Sequence, residues 1–93
     1  MIRLNCFISV KEENRKEVLE AARRLTEASQ KQAGCIAYDI FESATRPDVL
    51  MFCETWKDQA SLDAHATSDV FIRETKTIHD LADLKIERLS FDR

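Results

Sequence analysis

The hydrophobic positions in the first third of the chain follow two periods, one typical of a strand and one typical of a helix. From Ile2 to Val10 apolar side chains return at every second position, as in a half-buried strand. From about residue 12 to about residue 30 they return at helical spacing. This helical stripe consists of Val18, Ala21, Ala22, Leu25 and Ala28. Gly34, the only glycine, follows the predicted helix, where a positive φ is expected.

The middle of the chain predicts two strands joined by a short turn. Cys35 to Glu42 is rich in aromatic and β-branched residues. Val49 to Trp56 begins with an apolar run that does not alternate, which indicates a central strand covered on both faces. Pro47 and Asp48 lie between the two segments and suit a turn. We therefore expect two consecutive strands of one sheet.

The last third predicts a helical part broken in two and a final strand. Asp58 is suited to cap a short helix, and Ser68 or Asp69 is suited to cap the next one. The apolar stripe of that second helix carries Phe71, Thr75 and Ile78. The pattern then predicts a last strand from Leu84 to Phe91.

The order of these elements predicts an α+β, ferredoxin-like β-α-β-β-α-β fold, in a single domain over residues 1–93. Right-handed crossovers place the helices on one face of a four-stranded antiparallel sheet. The other face has no cover from its own chain, although the first and third strands are apolar on both sides. We therefore expect a homodimer packed sheet to sheet, and a closed two-subunit barrel is one way to build it.

Composition and charge narrow the class of protein. The net charge of −3 and the pI near 5.4 give no basic surface for nucleic acid. No apolar run reaches the roughly 18–20 residues that cross a bilayer, and no small-residue cleavage site marks a secretory signal. The three cysteines form no CxxC pair and are expected to be reduced, which suits the cytoplasm. The two histidines lack metal-site spacing, so no metal site is expected.

Most residues that could take part in a reaction lie in the third strand and the helix after it. Phe52, Glu54 and Trp56 point to one face of that strand. His65 lies on the same side of its helix as Leu62, so a helix packed on the sheet would place His65 near Trp56. Two interpretations stay open for each residue. His65 is a base or a hydrogen-bonded helix residue, Trp56 is a substrate wall or core packing, and Glu54 is a site residue or an ion-paired strand acid.

Several short motifs follow one another in a fixed order along this frame. They are Ala33-Gly-Cys-Ile-Ala-Tyr-Asp39, Glu54-x-Trp56, Leu62-x-x-His65 and Ser68-x-x-Phe71. Over nearly its whole length the chain resembles the antibiotic biosynthesis monooxygenase family, small dimeric α/β-barrel proteins that include quinol monooxygenases. The resemblance implies a dimeric barrel and an oxygenase without metal, flavin or haem, that is, without a cofactor. Its substrate would be a small aromatic or quinol-like molecule that reacts with O₂ once it is deprotonated.

The resemblance also implies roles for individual residues. His65 is the best base in the chain, and Asn5 could donate a hydrogen bond to a carbonyl or enolate oxygen of the substrate. An equal alternative for Asn5 is a strand amide bonded to neighbouring backbone. The substrate-binding residues implied are Trp56, Tyr38, Phe52, Glu54 and Phe71.

The chain departs from this family at two positions. Many relatives carry Ser-Pro-His-Phe where this chain has Ser68-Asp-Val-Phe71, so Val70 replaces a second histidine. A haem-degrading branch of the superfamily carries an iron-ligating histidine where this chain has Thr75. Three alternatives therefore stay open beside the oxygenase: a non-catalytic barrel that binds a small molecule, a haem-degrading relative and an isomerase relative.

Overall fold

A computed structural model of the chain describes residues 1–92, so Arg93, the last residue of the predicted domain, lies outside the described residues. In chain order the elements are β1 Ile2–Val10, α1 Glu12–Ser29, β2 Cys35–Glu42, β3 Val49–Trp56, α2 Gln59–Ala66, α3 Asp69–Leu81 and β4 Ala82–Ser90. The four strands form one antiparallel sheet in the order β2-β3-β1-β4. The predicted α+β, ferredoxin-like arrangement is confirmed, with its second helical part broken into α2 and α3.

Side-chain caps explain why the second helical part is broken. The Asp58 carboxylate accepts a hydrogen bond from the Ser61 amide at 2.8 Å, which starts α2. The Ser68 hydroxyl accepts one from the Phe71 amide at 3.3 Å, so Ser68 rather than Asp69 is the cap of α3. The two caps fix where α2 and α3 begin, and thereby where their inward side chains meet the sheet.

Gly34 has the predicted positive φ, at 79°. A Cβ atom at this position would overlap the side chain of Ser61 in α2. The Gly34 carbonyl also accepts a hydrogen bond from the amide of Lys57 at 2.8 Å. A side chain here would therefore both strain the backbone and push α2 away from the turn.

β4 begins earlier than its sequence pattern predicts. It starts at Ala82 rather than at Leu84, because the antiparallel ladder with β1 continues to the pair Val10–Ala82. It ends at Ser90, one residue before the predicted end at Phe91. The Phe91 amide still donates to the carbonyl of Met1 at 2.9 Å, so the pairing with the N-terminus continues in an irregular form.

The helices cover one face of the sheet, and the alternation along each strand decides which residues they bury. Ile8, Leu50 and Trp56 are completely buried under them. Side chains of the opposite parity, such as Phe7 and Met51, are half-buried on the other face, which no helix among the described residues covers. We call these two sides the covered face and the open face. None of the helices in residues 1–92 is long and apolar enough to span a membrane.

An ion pair fixes α3 against α1 over the covered face. The guanidinium group of Arg24 donates to both carboxylate oxygens of Glu74, at 3.0 and 3.1 Å. Glu74 is only 3% exposed, and the bonds from Arg24 and Arg73 hold its pKa below the usual range. This two-point contact sets the position of α3, whose inner side forms one wall of the cavity described next.

Candidate active site

A cavity of about 310 Å³ lies between the covered face of the sheet and the helices α2 and α3. Its apolar wall includes Leu4, Leu25, Leu62, Ile78, Leu84 and Ile86. A volume of this size, with mostly apolar walls and few polar groups, is typical of a site for a small organic molecule.

The structure brings most of the predicted site residues to this cavity. The predicted site residues that line it are Tyr38, Phe52, Glu54, His65 and Phe71. Trp56 lies just behind them, with its ring centroid 4.6 Å from that of His65. The rings of Tyr38 and Phe71 are 5.4 Å and 5.0 Å from the His65 ring. The imidazole is therefore surrounded by aromatic side chains from two strands and a helix.

Asn5 is not brought to the cavity. It pairs with Cys53 of β3 and Glu87 of β4, and its side chain has the parity of the open face. Its neighbours Leu4 and Cys6 line the cavity instead. Because side chains alternate along a strand, Asn5 and His65 lie on opposite faces of the sheet. The expectation that both residues line one pocket is therefore not met.

His65 occupies the centre of the site and is only 2% exposed. Its Nδ1 atom lies 2.7 Å from Oε1 of Gln32 and 3.5 Å from the hydroxyl of Ser29. Its Nε2 atom has no hydrogen-bond partner among the described residues. The nearest carboxylate oxygen is Oε1 of Glu54, 3.9 Å away. A buried, unpaired nitrogen beside a cavity is an open position for a hydrogen-bonding ligand.

Burial controls the charge of His65. It lowers the pKa of the imidazole to about 4, because a charged ring loses its hydration in this apolar site. The ring is therefore neutral at pH 7 and can accept a proton. A Glu54 carboxylate 3.9 Å away favours the imidazolium that proton transfer would create.

Glu54 is buried on β3 with two hydrogen-bond donors around it. The indole N–H of Trp56 donates to Oε1 of Glu54 at 2.9 Å. Burial raises the pKa of Glu54 above its ordinary value, although hydrogen bonds from Trp56 and Tyr38 lower it in part. Burial, followed by the charge of Glu54, raises the pKa of the Tyr38 phenol and takes that of the Cys6 thiol to about 11. Both groups stay protonated at pH 7, so among these four buried groups His65 and Glu54 are the ones able to accept a proton.

The positions at which the chain departs from its relatives have structural roles of their own. The Thr75 hydroxyl donates to the carbonyl of Phe71 at 2.5 Å, within its own helix. Val70 packs against the apolar core. The second histidine of the chain, His79, lies at an exposed part of the cavity wall. It is therefore placed at the entrance rather than beside His65.

Gln32 and Ser29 were not found from the sequence. Both contact Nδ1 of His65, across 33 and 36 positions of the chain. Ser29 lies on the last turn of α1 and Gln32 in the turn before Gly34. Ser29 continues the helical stripe of α1 four residues after Leu25, which marks it as inward-facing but not as a partner of His65. Gln32 lies in a turn, where no motif or periodicity marks its side chain as a partner of a distant helix.

Comparison with known proteins gives the context for this site. Residues 1–73 match the family model described as Antibiotic biosynthesis monooxygenase. The chain is similar to "Putative monooxygenase YcnE" of Bacillus subtilis, with 37% identity over 65 residues that cover 70% of this chain and 68% of that protein. The resemblance that the sequence motifs predict is confirmed.

Solved structures share the fold over almost the whole chain. A conserved protein of unknown function from Bacteroides thetaiotaomicron, described as a possible oxidoreductase, is 49% identical with a TM-score of 0.95. That match covers 97% of this chain and 96% of the other. A structure described as antibiotic biosynthesis monooxygenase is 27% identical with a TM-score of 0.91, over the full length of both chains.

Proposed function

Because the chain belongs to the antibiotic biosynthesis monooxygenase family, we propose that it oxidises a small aromatic or quinol substrate with O₂ and needs no metal, flavin or haem. The observation that carries this proposal is the buried His65, which lines an apolar cavity and whose Nε2 atom has no hydrogen-bond partner among residues 1–92. A phenolic hydroxyl of the substrate would supply the missing donor.

The reaction begins with proton transfer from the substrate to Nε2 of His65. The resulting electron-rich anion passes one electron to O₂, and the two radicals combine to form a carbon–oxygen bond. Loss of water from the peroxide then leaves one oxygen atom on the substrate as a carbonyl and releases the other in water. All four electrons come from the substrate, which loses two hydrogen atoms, the hydroxyl hydrogen that His65 first accepts and the hydrogen of the reacting carbon. Both leave in the water molecule, so the balance requires no external reductant.

The chain's own residues act on the first and last steps. Phe52, Phe71 and Tyr38 hold a flat ring in the cavity and exclude water from it. Glu54, 3.9 Å from Nε2, stabilises the imidazolium while the substrate is an anion. The low pKa of His65 then favours return of the proton from the imidazolium to the peroxide, from which water is lost. The apolar walls suit both the ring and the apolar O₂ molecule.

Oxygen consumption tests this proposal directly. Metal-stripped protein is mixed with a panel of hydroquinones, naphthols and anthrones, and His65→Ala protein is measured beside it. We expect O₂ uptake with at least one substrate class, one oxygen atom from ¹⁸O₂ in the product, and strong loss of uptake in the variant. Tight binding of the same compounds without O₂ uptake would contradict the oxygenase and favour a non-catalytic binding protein.

We also propose that two copies pack through their open faces, in the cytoplasm, where the three free cysteines stay reduced. Phe7 pairs with Met51, and Met51 pairs with Phe41, so these apolar side chains form one row across three strands. Phe41 is 50% exposed and Leu89 is 55% exposed in the single chain. A second copy would remove this apolar surface from water.

Light scattering tests the dimer. We expect a mass of about 22 kDa, twice the 10.8 kDa of one chain. Phe7→Arg should reduce the mass to that of one chain, because it places a charge at the centre of the open face. Glu20→Arg on the exposed side of α1 is the matched control and should leave the mass unchanged. A wild-type mass of one chain at micromolar concentration would overturn the dimer.

A further inference from the structure

The side chain of Gln32 contacts the imidazole of His65 from outside the cavity. Oε1 of Gln32 lies 2.7 Å from Nδ1 of His65, a short hydrogen-bond distance. The backbone of Gln32 is itself held on both sides, because its amide donates to the Ser29 carbonyl at 3.0 Å and its carbonyl accepts from the Cys35 amide at 3.2 Å. The amide group is therefore presented to the ring from a fixed turn.

With the amide oxygen of Gln32 toward Nδ1, the contact indicates which ring nitrogen of His65 carries the proton. A side-chain amide oxygen only accepts hydrogen bonds, so the nitrogen that faces Oε1 of Gln32 is the N–H donor. A neutral imidazole has one N–H, and the other nitrogen is then a bare acceptor. With the proton on Nδ1, the lone pair of His65 lies on Nε2, the nitrogen without a hydrogen-bond partner among the described residues.

The alternative arrangement has a weaker geometry. A proton on Nε2 would have to be donated to Oε1 of Glu54, and 3.9 Å is too long for a hydrogen bond. That oxygen already accepts from the indole N–H of Trp56 at 2.9 Å. Nδ1 would at the same time face the Gln32 oxygen with no proton between two acceptors. The contacts therefore favour one tautomer.

We propose that Gln32 is a positioning residue that holds His65 in the tautomer protonated on Nδ1 and leaves Nε2 free to accept a proton in the cavity. Its catalytic consequence rests on the proposed function, in which His65 is the base, whereas the tautomer itself requires no substrate. Since an amide is a dipole without net charge, Gln32 orients the ring but adds little attraction for the imidazolium. The proton is thus accepted at Nε2 and readily returned.

Nitrogen NMR on protein labelled with ¹⁵N-histidine measures this tautomer without any substrate. At pH 7 we expect the wild-type His65 ring to show a protonated Nδ1 and an unprotonated Nε2. Gln32→Leu removes the acceptor, and a population protonated on Nε2 should appear. Gln32→Glu keeps an oxygen acceptor, so Nδ1–H should persist, and its negative charge should raise the pKa of His65. If the tautomer protonated on Nδ1 persists in Gln32→Glu but not in Gln32→Leu, Gln32 acts through its hydrogen bond to His65 and not through packing.

The other titratable groups near His65 are unchanged between wild type and the Gln32 variants. Those that line the cavity with His65 are Glu54 of β3, Tyr38 of β2, Cys6 of β1, Asp63 of α2 and His79 of α3. The exposed Lys31, one residue before Gln32, supplies the matched control as Lys31→Leu, which should leave the tautomer unchanged. If Gln32→Leu fails to fold, Gln32→Asn shortens the side chain by one methylene and withdraws the oxygen from Nδ1.

The outcomes separate this inference from the proposed function. A wild-type ring protonated on Nε2, or an unchanged tautomer in folded Gln32→Leu or Gln32→Asn protein, would overturn the role of Gln32. If a substrate with O₂ uptake is found, Gln32→Leu should lower kcat by roughly tenfold to a hundredfold with little change in KM. If no O₂ uptake is found while the tautomer responds as expected, the oxygenase proposal fails and the positioning role stands.

Discussion

The two faces of the sheet are built from the same strands but differ in what their polar groups can do. On the covered face, Glu54 and His65 are 5% and 2% exposed, and burial shifts the pKa of each. On the open face, Asn5 is half-buried and Phe41 is 50% exposed in the single chain. Neighbouring positions of one strand therefore lie in very different dielectric surroundings. Within the single chain the covered face is the one from which water is excluded, so small distances change proton affinities strongly there.

The largest expected effect that separates the two faces is on turnover. His65→Ala should lower kcat by roughly 10²–10⁴-fold, because it removes the proton acceptor from the covered face. The exposed Arg23 on α1 gives a matched alanine control that should retain full activity. Steady-state O₂ uptake with a responsive quinol measures both. Equal activity of the two variants would show that His65 is not the base.

Stability provides the next contrast. Phe52→Ala should reduce the free energy of unfolding by about 3–5 kcal/mol, because the ring is 4% exposed in the core. Phe41→Ala on the open face should cost below about 1 kcal/mol in dilute solution. Urea unfolding at several protein concentrations gives both values. If the loss of unfolding free energy caused by Phe41→Ala grows with protein concentration, a second copy buries that ring. That result would support the difference between the two faces in the single chain.

Acid should weaken the covered face through His65. The pKa of His65 is about 4 in the folded chain, against about 6.5 when unfolded. Between these values the unfolded chain binds a proton that the folded chain does not. The free energy of unfolding therefore falls by about 3 kcal/mol from this residue as the pH drops from about 6.5 to about 4.

Measuring the free energy of unfolding of His65→Gln beside wild type isolates the contribution of His65 protonation. The variant lacks the imidazole, so the stability advantage of wild type over the variant should shrink as the pH falls through this window. The raised pKa of Glu54 acts in the opposite direction, because its protonation favours the folded state, but Glu54 is present in both proteins. A difference that stays constant from pH 7 to pH 4 would contradict a neutral, buried His65.

The smallest effect is expected at Asn5. Asn5→Ala changes the open face, on the far side of the sheet from Nε2 of His65, and should leave kcat within about twofold of wild type. A large loss of kcat with unchanged stability would revive the sequence-based role of Asn5 as a donor to the substrate. Such a result would place a reacting group on the open face, and the contrast between the two faces would fail.

Most of the fold could be predicted from local patterns. The alternation in Ile2–Val10, the helical stripe around Ala21 and the single glycine each correspond to one element or turn of the structure. The start of β4 could not be predicted, because Ala82 is a strand residue only through its pairing with Val10. Non-local pairing extends a strand beyond its own hydrophobic pattern.

The site was predictable to the extent that its residues share a strand face or a helix face. Glu54 and Trp56 have the same parity, and the spacing of Leu62 and His65 directs both toward the sheet. The same parity argument also contained the correct position of Asn5, since Leu4 and Cys6 on either side of it are the apolar, inward residues. For Asn5 the alternation of the strand, and not the family resemblance, decides on which face of the sheet the side chain lies.

Local periods of 2 and 3.6 residues already specify the order of the elements, the inward face of each one and the group of aromatic and acidic residues near His65. Packing between distant segments leaves Nε2 of His65 without a partner beside Glu54 and brings Gln32 into contact with Nδ1. Contacts across 33 positions arise from the packing of a turn against α2. Proton affinity follows from that packing, because it depends on which groups surround a buried atom and how completely they exclude water.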